Sequence, residues 1–153
     1  MPVEISPQGT RGRSFPRGRL VSLGIGLNTA LYRLLRGLGM GSRMLLLTTV
    51  GARSGIERTV PLAYFTDGPD AWLIIASAGG DARHPAWYRN LAAHPDRAAI
   101  EVGGRKVKVR AESLHGAARE EPWGRITAQA KNFAEYQRNT DREIPVIRLT
   151  PLA

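Results

Sequence analysis

The stretch LLLTTVGARSGIERTVPLAYFTDGPDAWLIIAS, Leu45 to Ser77, decides the fold. Its apolar and β-branched residues fall into three short runs: LLLTTV (Leu45–Val50), TVPLAYFT (Thr59–Thr66) and AWLIIAS (Ala71–Ser77). Short runs of this kind, bounded by Gly, Asp and Ser, read as strands. The segment from Gly51 to Arg58 and the pair Asp67-Gly68 supply the turns, and their tightness predicts an antiparallel meander. Pro61 marks the second run as an edge or irregular strand, since proline brings no N–H to a ladder.

Downstream, a loop AGGDARH leads into HPAWYRNLAAHP, where Pro85 suits a first helical position and Trp87 and Leu91 share a face. Two further strands, AAIEV and RKVKVRAE, are joined by Gly103-Gly104, a strong hairpin signal. In the second, Val107, Val109 and Ala111 alternate with Lys106, Lys108 and Arg110, so one face is buried and the other wet. Residues 116–138 read as one or two helices with Glu120 and Glu121 near the start, and EIPVIRLTP closes the chain as a strand. Residues 44–153 thus form one mainly β (α+β) domain, an antiparallel barrel of about six strands with flanking helices.

Upstream, residues 1–18 are rich in Pro, Gly, Ser and Arg and lack periodicity, which predicts a flexible basic leader. Over residues 19–43, Leu20, Leu23, Leu27, Leu31, Leu34, Leu35 and Leu38 form one stripe of an amphipathic helix whose polar side carries Arg33 and Arg36. That helix can pack on the domain, lie on anionic lipid, or do both. The net charge is +9, and residues 1–43 hold +6 of it. Such asymmetry points to an anionic partner, membrane surface or nucleic acid. Nucleic acid ranks last, because the cations are not interleaved with aromatics or set in a known motif. The Leu20–Leu38 stretch is too interrupted by Asn28, Arg33, Arg36 and Gly to span a membrane, and no signal cleavage site follows it. A cytoplasmic protein, with peripheral contact at the inner face of the cell membrane, is the expectation.

The chain has no cysteine and three scattered histidines, which removes thiolate chemistry, disulfides and a histidine metal cluster. It lacks GxSxG, GxGxxG and GxxxxGK[ST], so its chemistry fits a borrowed cofactor. Three segments could hold one. In GARSGIERT, Gly51 and Gly55 let amides converge, Arg53 and Arg58 add guanidinium forks, and Ser54 and Thr59 add hydroxyls; the same pattern also serves as a plain hairpin. In ASAGGDARHPAWYRNL, flexible backbone precedes a helix N-terminus, Trp87 stacks or packs, and Asn90 can read a polar ring edge. In NFAEYQRNTDREIP, Tyr136 stands three residues from Phe133 and could donate a proton or pack.

Taken in order, LLLTTVGARSGIERTVPLAYFTDG, AWLIIASAGGDARHPAWYRNL and FAEYQRNTDREIPVIRL resemble the deazaflavin-dependent nitroreductase and quinone reductase family, over roughly Leu45 to Leu149. The resemblance implies a split β-barrel like the flavin-binding ones, the deazaflavin coenzyme F-420, and hydride transfer to a quinone, nitroaromatic or related unsaturated acceptor. It implies a phosphate and tail site at Arg53, Ser54, Gly55 and Arg58, and a ring wall of Val60, Pro61, Ala76, Ser77, Ala78 and Gly79. Trp87, Asn90 and Leu91 would complete the pocket, with Tyr136 on the substrate side. Two departures stand out: Ala78 where members often carry Lys, and Ala130 and Phe133 where aromatic hydroxyls are expected. Split barrels of this kind are often dimeric, so a homodimer is implied. The competing readings are a non-catalytic flavin- or deazaflavin-binding barrel and an FMN-dependent reductase.

Overall fold

The computed structural model describes residues 3–12 and 44–152; the expected helix over 19–43 lies outside the described residues. Seven strands form one antiparallel sheet: β1 (Met44–Val50), β2 (Glu57–Ala63), β3 (Phe65–Thr66), β4 (Trp72–Ile75), β5 (Ala98–Val102), β6 (Arg105–Ser113) and β7 (Val146–Pro151). The helices are α1 (Ala86–Ala93), α2 (Ala117–Gln129) and α3 (Lys131–Asn139). Residues 116–138 therefore make two helices, broken at Ala130, which is the last cap of one and the first of the other.

The strand order is β2-β1-β5-β6-β7-β4-β3, so β2 and β3 are the two edges. Only Tyr64 separates them in the chain. They are the two halves of the single strand expected at Thr59–Thr66. Its first half pairs with β1, Pro61 opposite Leu46, and its second half pairs with β4, Phe65 opposite Leu73. The meander is present, and the strand at its centre changes partner midway, which curls the sheet into a barrel with a gap. Six expected strands appear as seven for this reason alone.

Alternation sorts side chains between two cores. Leu45, Leu47, Trp72, Ile74, Ile100, Val109, Ala111, Ile147 and Leu149 fill the barrel, joined by Trp87, Tyr88 and Leu91 from α1. On the outer face, Leu73, Ile75 and Val146 meet Ile126 of α2 and Phe133 of α3. Strand β4 is apolar on both sides because it is buried on both. In β6, Val109 and Ala111 are buried while Lys106, Lys108 and Arg110 are exposed, as the alternation predicts. The Gly103-Gly104 turn has φ of +56° and +85°, the two left-handed positions a two-residue hairpin of this type needs.

Within the expected leader, residues 3–12 lie against the domain. Val3 is buried in the barrel core. Tyr88 Oη donates to the Glu4 carbonyl at 2.5 Å and accepts from Ser6 N at 3.1 Å. Gly9 N donates to Ala82 O at 2.7 Å, and Asp141 accepts from Thr10 N, Thr10 Oγ1 and Arg11 N. Backbone groups, which leave no mark on composition, hold this segment in place.

Candidate functional site

From β1 to β4 the sheet takes four antiparallel steps, so the two strands run in the same direction. The turn after β1 and the loop after β4 therefore emerge at one end of the barrel. These are the two segments that the sequence marks for ligand binding.

The turn is a compact, self-bonded structure. Gly51 N donates to Ile56 O at 2.9 Å, Gly55 N to Gly51 O at 3.0 Å, and Ile56 N to Ser54 Oγ at 3.1 Å. Gly55 takes a left-handed φ of +70°, and a Cβ on Gly51 would collide with Ser54 Oγ. Asn90 of α1 ties the turn to the domain: its Oδ1 accepts from Ala52 N at 3.0 Å and its Nδ2 donates to Thr49 Oγ1 at 3.1 Å. Asn90 is thus spent on holding the turn. Thr59 shares a hydrogen bond with its cross-strand partner Thr48, Oγ1 to Oγ1 at 2.8 Å. Arg53 and Arg58 are exposed and make no ion pair or hydrogen bond among the described residues.

Between the turn and the β4 loop lies the gap in the barrel wall. Beyond Tyr64, β2 has no strand on its outer side, and Ile74 and Ile75 of β4 have none on the side facing it. The register that pairs Phe65 with Leu73, continued along β4, sets Ala63 opposite Ile75 and Leu62 opposite Ala76; the chain then leaves the strand, Ser77 having helical φ and ψ of −81° and −35° and Ala78 opening a 3-10 turn. Side-chain parity agrees, since Val60, Leu62 and Ala76 pack on the barrel core while Ala63 and Ile75 belong to the outer one. Val60 and Pro61 on the free edge of β2, and Ala76, Ser77 and Ala78 following β4, therefore border the same gap, the β2–β4 slot. The short 3-10 turn Ala78–Gly80 includes Gly79 and follows directly from Ser77.

Two predicted residues, Trp87 and Leu91, sit elsewhere. Leu91 has no exposed side-chain surface, and Trp87 is 8% exposed and packed in the barrel core. Trp87 and Leu91 share a face as expected, and that face is turned to the core. They position α1 and, through it, Asn90.

Beside the joint at Tyr64 is a cavity of about 410 Å³ lined by Ala63, Phe65, Thr66, Gln129, Ala130 and Phe133 among others. Its size lies in the range of small-molecule sites. Phe133 meets Phe65 edge-on at 5.9 Å and Tyr136 at 5.8 Å. Tyr136 is half-buried, and its hydroxyl has no hydrogen-bond partner among the described residues. The cavity lies next along the same strand, beginning at Ala63, two residues beyond Pro61.

Sequence reasoning missed Arg142. It is 3% exposed, with Nε donating to Asp81 O at 2.8 Å, Nη1 to Ala76 O at 3.0 Å and Nη2 to Ser77 O at 2.7 Å. Nη1 also meets His84 Nδ1 at 3.1 Å. A guanidinium only donates, so Nδ1 accepts and the His84 proton sits on Nε2, which donates to Ser6 O at 2.7 Å. Burial lowers the His84 pKa below its ordinary 6.5, and the nearby Arg142 and Arg89 charges add to this against the Ser6 and Pro7 carbonyls. No pattern in NTDREIP distinguishes Arg142 from a surface charge. Among the described residues no cluster of His, Asp and Glu could hold a metal, and no helix is long and apolar enough to cross a membrane.

The chain is similar to several known proteins. The family profile described as F420H(2)-dependent quinone reductase matches residues 27–151. The F420H(2)-dependent quinone reductase Rv1261c of Mycobacterium tuberculosis is 41% identical over 133 residues, covering 81% of this chain and 87% of the relative. A solved F420-H2 dependent reductase, FDR-A, superposes with a TM-score of 0.63 at 37% identity, covering 70% of this chain and 93% of its own. A solved domain-swapped dimer superposes with a TM-score of 0.64 at 32% identity, covering 81% and 98%. The fold, the order of the motif blocks and these relatives agree, and the chain belongs to the F420H(2)-dependent quinone reductase family.

Proposed function

We propose that this protein binds reduced coenzyme F-420 across the β2–β4 slot and uses it to reduce a quinone held in the adjoining cavity. The observation that carries the reading is that Val60 and Pro61 border one gap in the barrel wall with Ala76, Ser77 and Ala78, at the end where Arg53 and Arg58 are exposed with no partner among the described residues. The residues fit the coenzyme's chemistry. The apolar walls suit a planar ring, the unpaired backbone edge of β2 offers donors and acceptors to ring heteroatoms, and the two guanidinium groups suit an anionic tail. Family membership makes FMN unnecessary as an alternative.

When bound, the reduced deazaflavin supplies a hydride; the protein's own residues do the rest. Arg53 and Arg58 hold the tail, with Ser54 and Gly55 shaping the turn that presents them. Thr59 and Asn90 fix that turn to β1 and α1. The outer mouth of the slot, Pro61 and Ser77, sets the ring against the cavity. Tyr136, packed behind the cavity wall on Phe133, has a hydroxyl with no partner among the described residues and is the candidate proton donor to the oxygen that gains charge as the acceptor is reduced. Phe65, Phe133 and Ala130 give the cavity an apolar wall for an acceptor ring, and Thr66, Gln129 and Asn132 give it polar groups for the acceptor's oxygens.

Oxidation of reduced F-420 followed by absorbance, with menadione and a nitroaromatic panel, tests the reading. Turnover with menadione is expected; binding of F-420 without turnover would favour a non-catalytic binding barrel. The basic stripe of residues 19–43 suits contact with anionic lipid where quinones dissolve. A full chain that ignores anionic vesicles would remove that part. A homodimer, after the domain-swapped relative, is checked by light scattering.

A further inference from the structure

One buried cluster has no role in the account above, and it lies directly behind the slot. The backbone there is strained: Ala78 takes a φ of +46°, the left-handed region that side chains with a Cβ disfavour. Such a conformation persists only where its surroundings over-determine it. Ala78 opens the 3-10 turn Ala78–Gly80, and Arg142 grips the carbonyls on both sides of that turn, Ser77 O and Asp81 O, together with Ala76 O. One rigid guanidinium fork therefore fixes three carbonyls of the β4 wall. The Asp81 charge, itself buried, favours the charged form of Arg142 against the cost of burial.

The clamp reaches two other parts of the site. Gly80 abuts α3 so closely that a Cβ would stand 3.0 Å from the Tyr136 carbonyl, so the clamped turn also seats the helix bearing Tyr136. Through His84, Arg142 is bonded on to Ser6, and a Cβ on Gly12 would stand 2.5 Å from Gly80 O. Residues 3–12 thus lie against the back of the same turn.

We propose that Arg142 is a positioning residue for the cofactor slot, holding Ser77 and Ala78 in their strained geometry and joining the N-terminal segment to the site. This rests on the slot being the F-420 site, and the test separates the two claims. Arg142→Lys keeps the charge and removes the fork, because one ammonium cannot hold three diverging carbonyls. In the full chain, Arg142→Lys should stay folded by circular dichroism, exchange amide hydrogen faster in residues 76–85, and bind oxidised F-420 about tenfold more weakly in a fluorescence titration. A merely structural role would lower the melting temperature and leave the affinity of the folded protein unchanged. Asp141→Ala, on the surface, releases Thr10 and Arg11 without touching the slot; it decides the matter if Arg142→Lys does not fold, and should give the same exchange signature at about threefold weaker affinity. A folded variant with wild-type exchange over 76–85 and wild-type affinity overturns the proposal. Wild-type protein that binds no F-420 overturns the functional reading instead, while the exchange comparison still judges the clamp.

Discussion

Replacing Asn90 with alanine removes both bonds that tie the Gly51–Ile56 turn to α1, and their settings fix the size of the loss. The bond from Ala52 N is exposed, so it lies at the low end of the net value of a hydrogen bond, about 0.5 kcal/mol. The bond to Thr49 Oγ1 serves a side chain that is 2% exposed, so it lies at the high end, about 1.5 kcal/mol. The sum, about 2 kcal/mol, corresponds to a melting temperature lowered by roughly 4–8 °C in a domain of this size. Asn90→Asp behaves differently. Its carboxylate still accepts from Ala52 N, and the Thr49 hydroxyl can rotate to donate, so stability should change by less than about 0.5 kcal/mol. It places a negative charge beside Arg53 and Arg58, however, where an anionic tail is to bind. A like charge a few ångströms away costs about 1 kcal/mol in a solvated setting, or about fivefold in affinity. The F-420 titration should show that loss at low salt and recover most of it at high salt, because exposed charges are screened. Differential scanning calorimetry and fluorescence titration of both variants complete the assay. Wild-type stability in Asn90→Ala, or wild-type affinity in Asn90→Asp at low salt, would refute the reasoning.

Three other predictions follow from the same geometry. Arg58→Ala removes a guanidinium with no partner among the described residues, so the melting temperature should hold while F-420 affinity falls about tenfold, read by titration. Phe133→Ala removes a buried ring packed edge-on against two others and should cost about 3 kcal/mol in chemical denaturation, widening the cavity and altering the Michaelis constant for the quinone more than that for F-420. His84 is held neutral in the folded chain, so the unfolded chain takes up its proton first as pH falls below 6.5, and stability drops from there until the folded form protonates as well. Gln in place of His84 keeps one donor for Ser6 and one acceptor for Arg142 without titrating, and should flatten that part of the melting profile between about pH 7.5 and pH 5.

Most strands were legible because each is short, apolar on one face and closed by turn residues. Lys106, Lys108 and Arg110 alternate with buried neighbours as read, and Gly103-Gly104 takes the turn its composition announces. The change of partner at Tyr64 was not legible, since TVPLAYFT has the same residues whether it pairs on one side or both. Nor was the anchoring of residues 3–12, which rests on carbonyls and amides common to every sequence. Trp87 and Leu91 show the commonest confusion: a shared helical face is visible in a sequence, whereas the direction it faces is set by packing. Arg142 is the opposite case. A charged residue between Asp141 and Glu143 reads as surface, and only the convergence of three carbonyls makes it interior.

The slot exists because one strand fails to pair on both sides along its length, and Pro61 is the residue best placed to explain that failure. Were Ser77 extended and its carbonyl released by Arg142, β2 could continue zipping onto β4 above Tyr64, Pro61 would come opposite Ser77 and the gap would close. Proline brings no N–H, so a continued ladder would lack a donor at that step, while the existing pairing with β1 tolerates it opposite Leu46. Pro61→Val supplies the donor. It also frees the unfolded chain, at a cost of about 0.4–1 kcal/mol. A new ladder bond returns about 0.5–1.5 kcal/mol, so stability should stay close to wild type. Affinity should not: closing even one step of the slot narrows it where the ring must lie, and F-420 binding should weaken at least about tenfold. Protection of the residue 61 amide in hydrogen exchange, together with that loss, would identify Pro61 as what keeps the barrel split. An unprotected amide with wild-type affinity would assign the gap instead to the turn at residues 77–80, which Arg142 holds out of the strand.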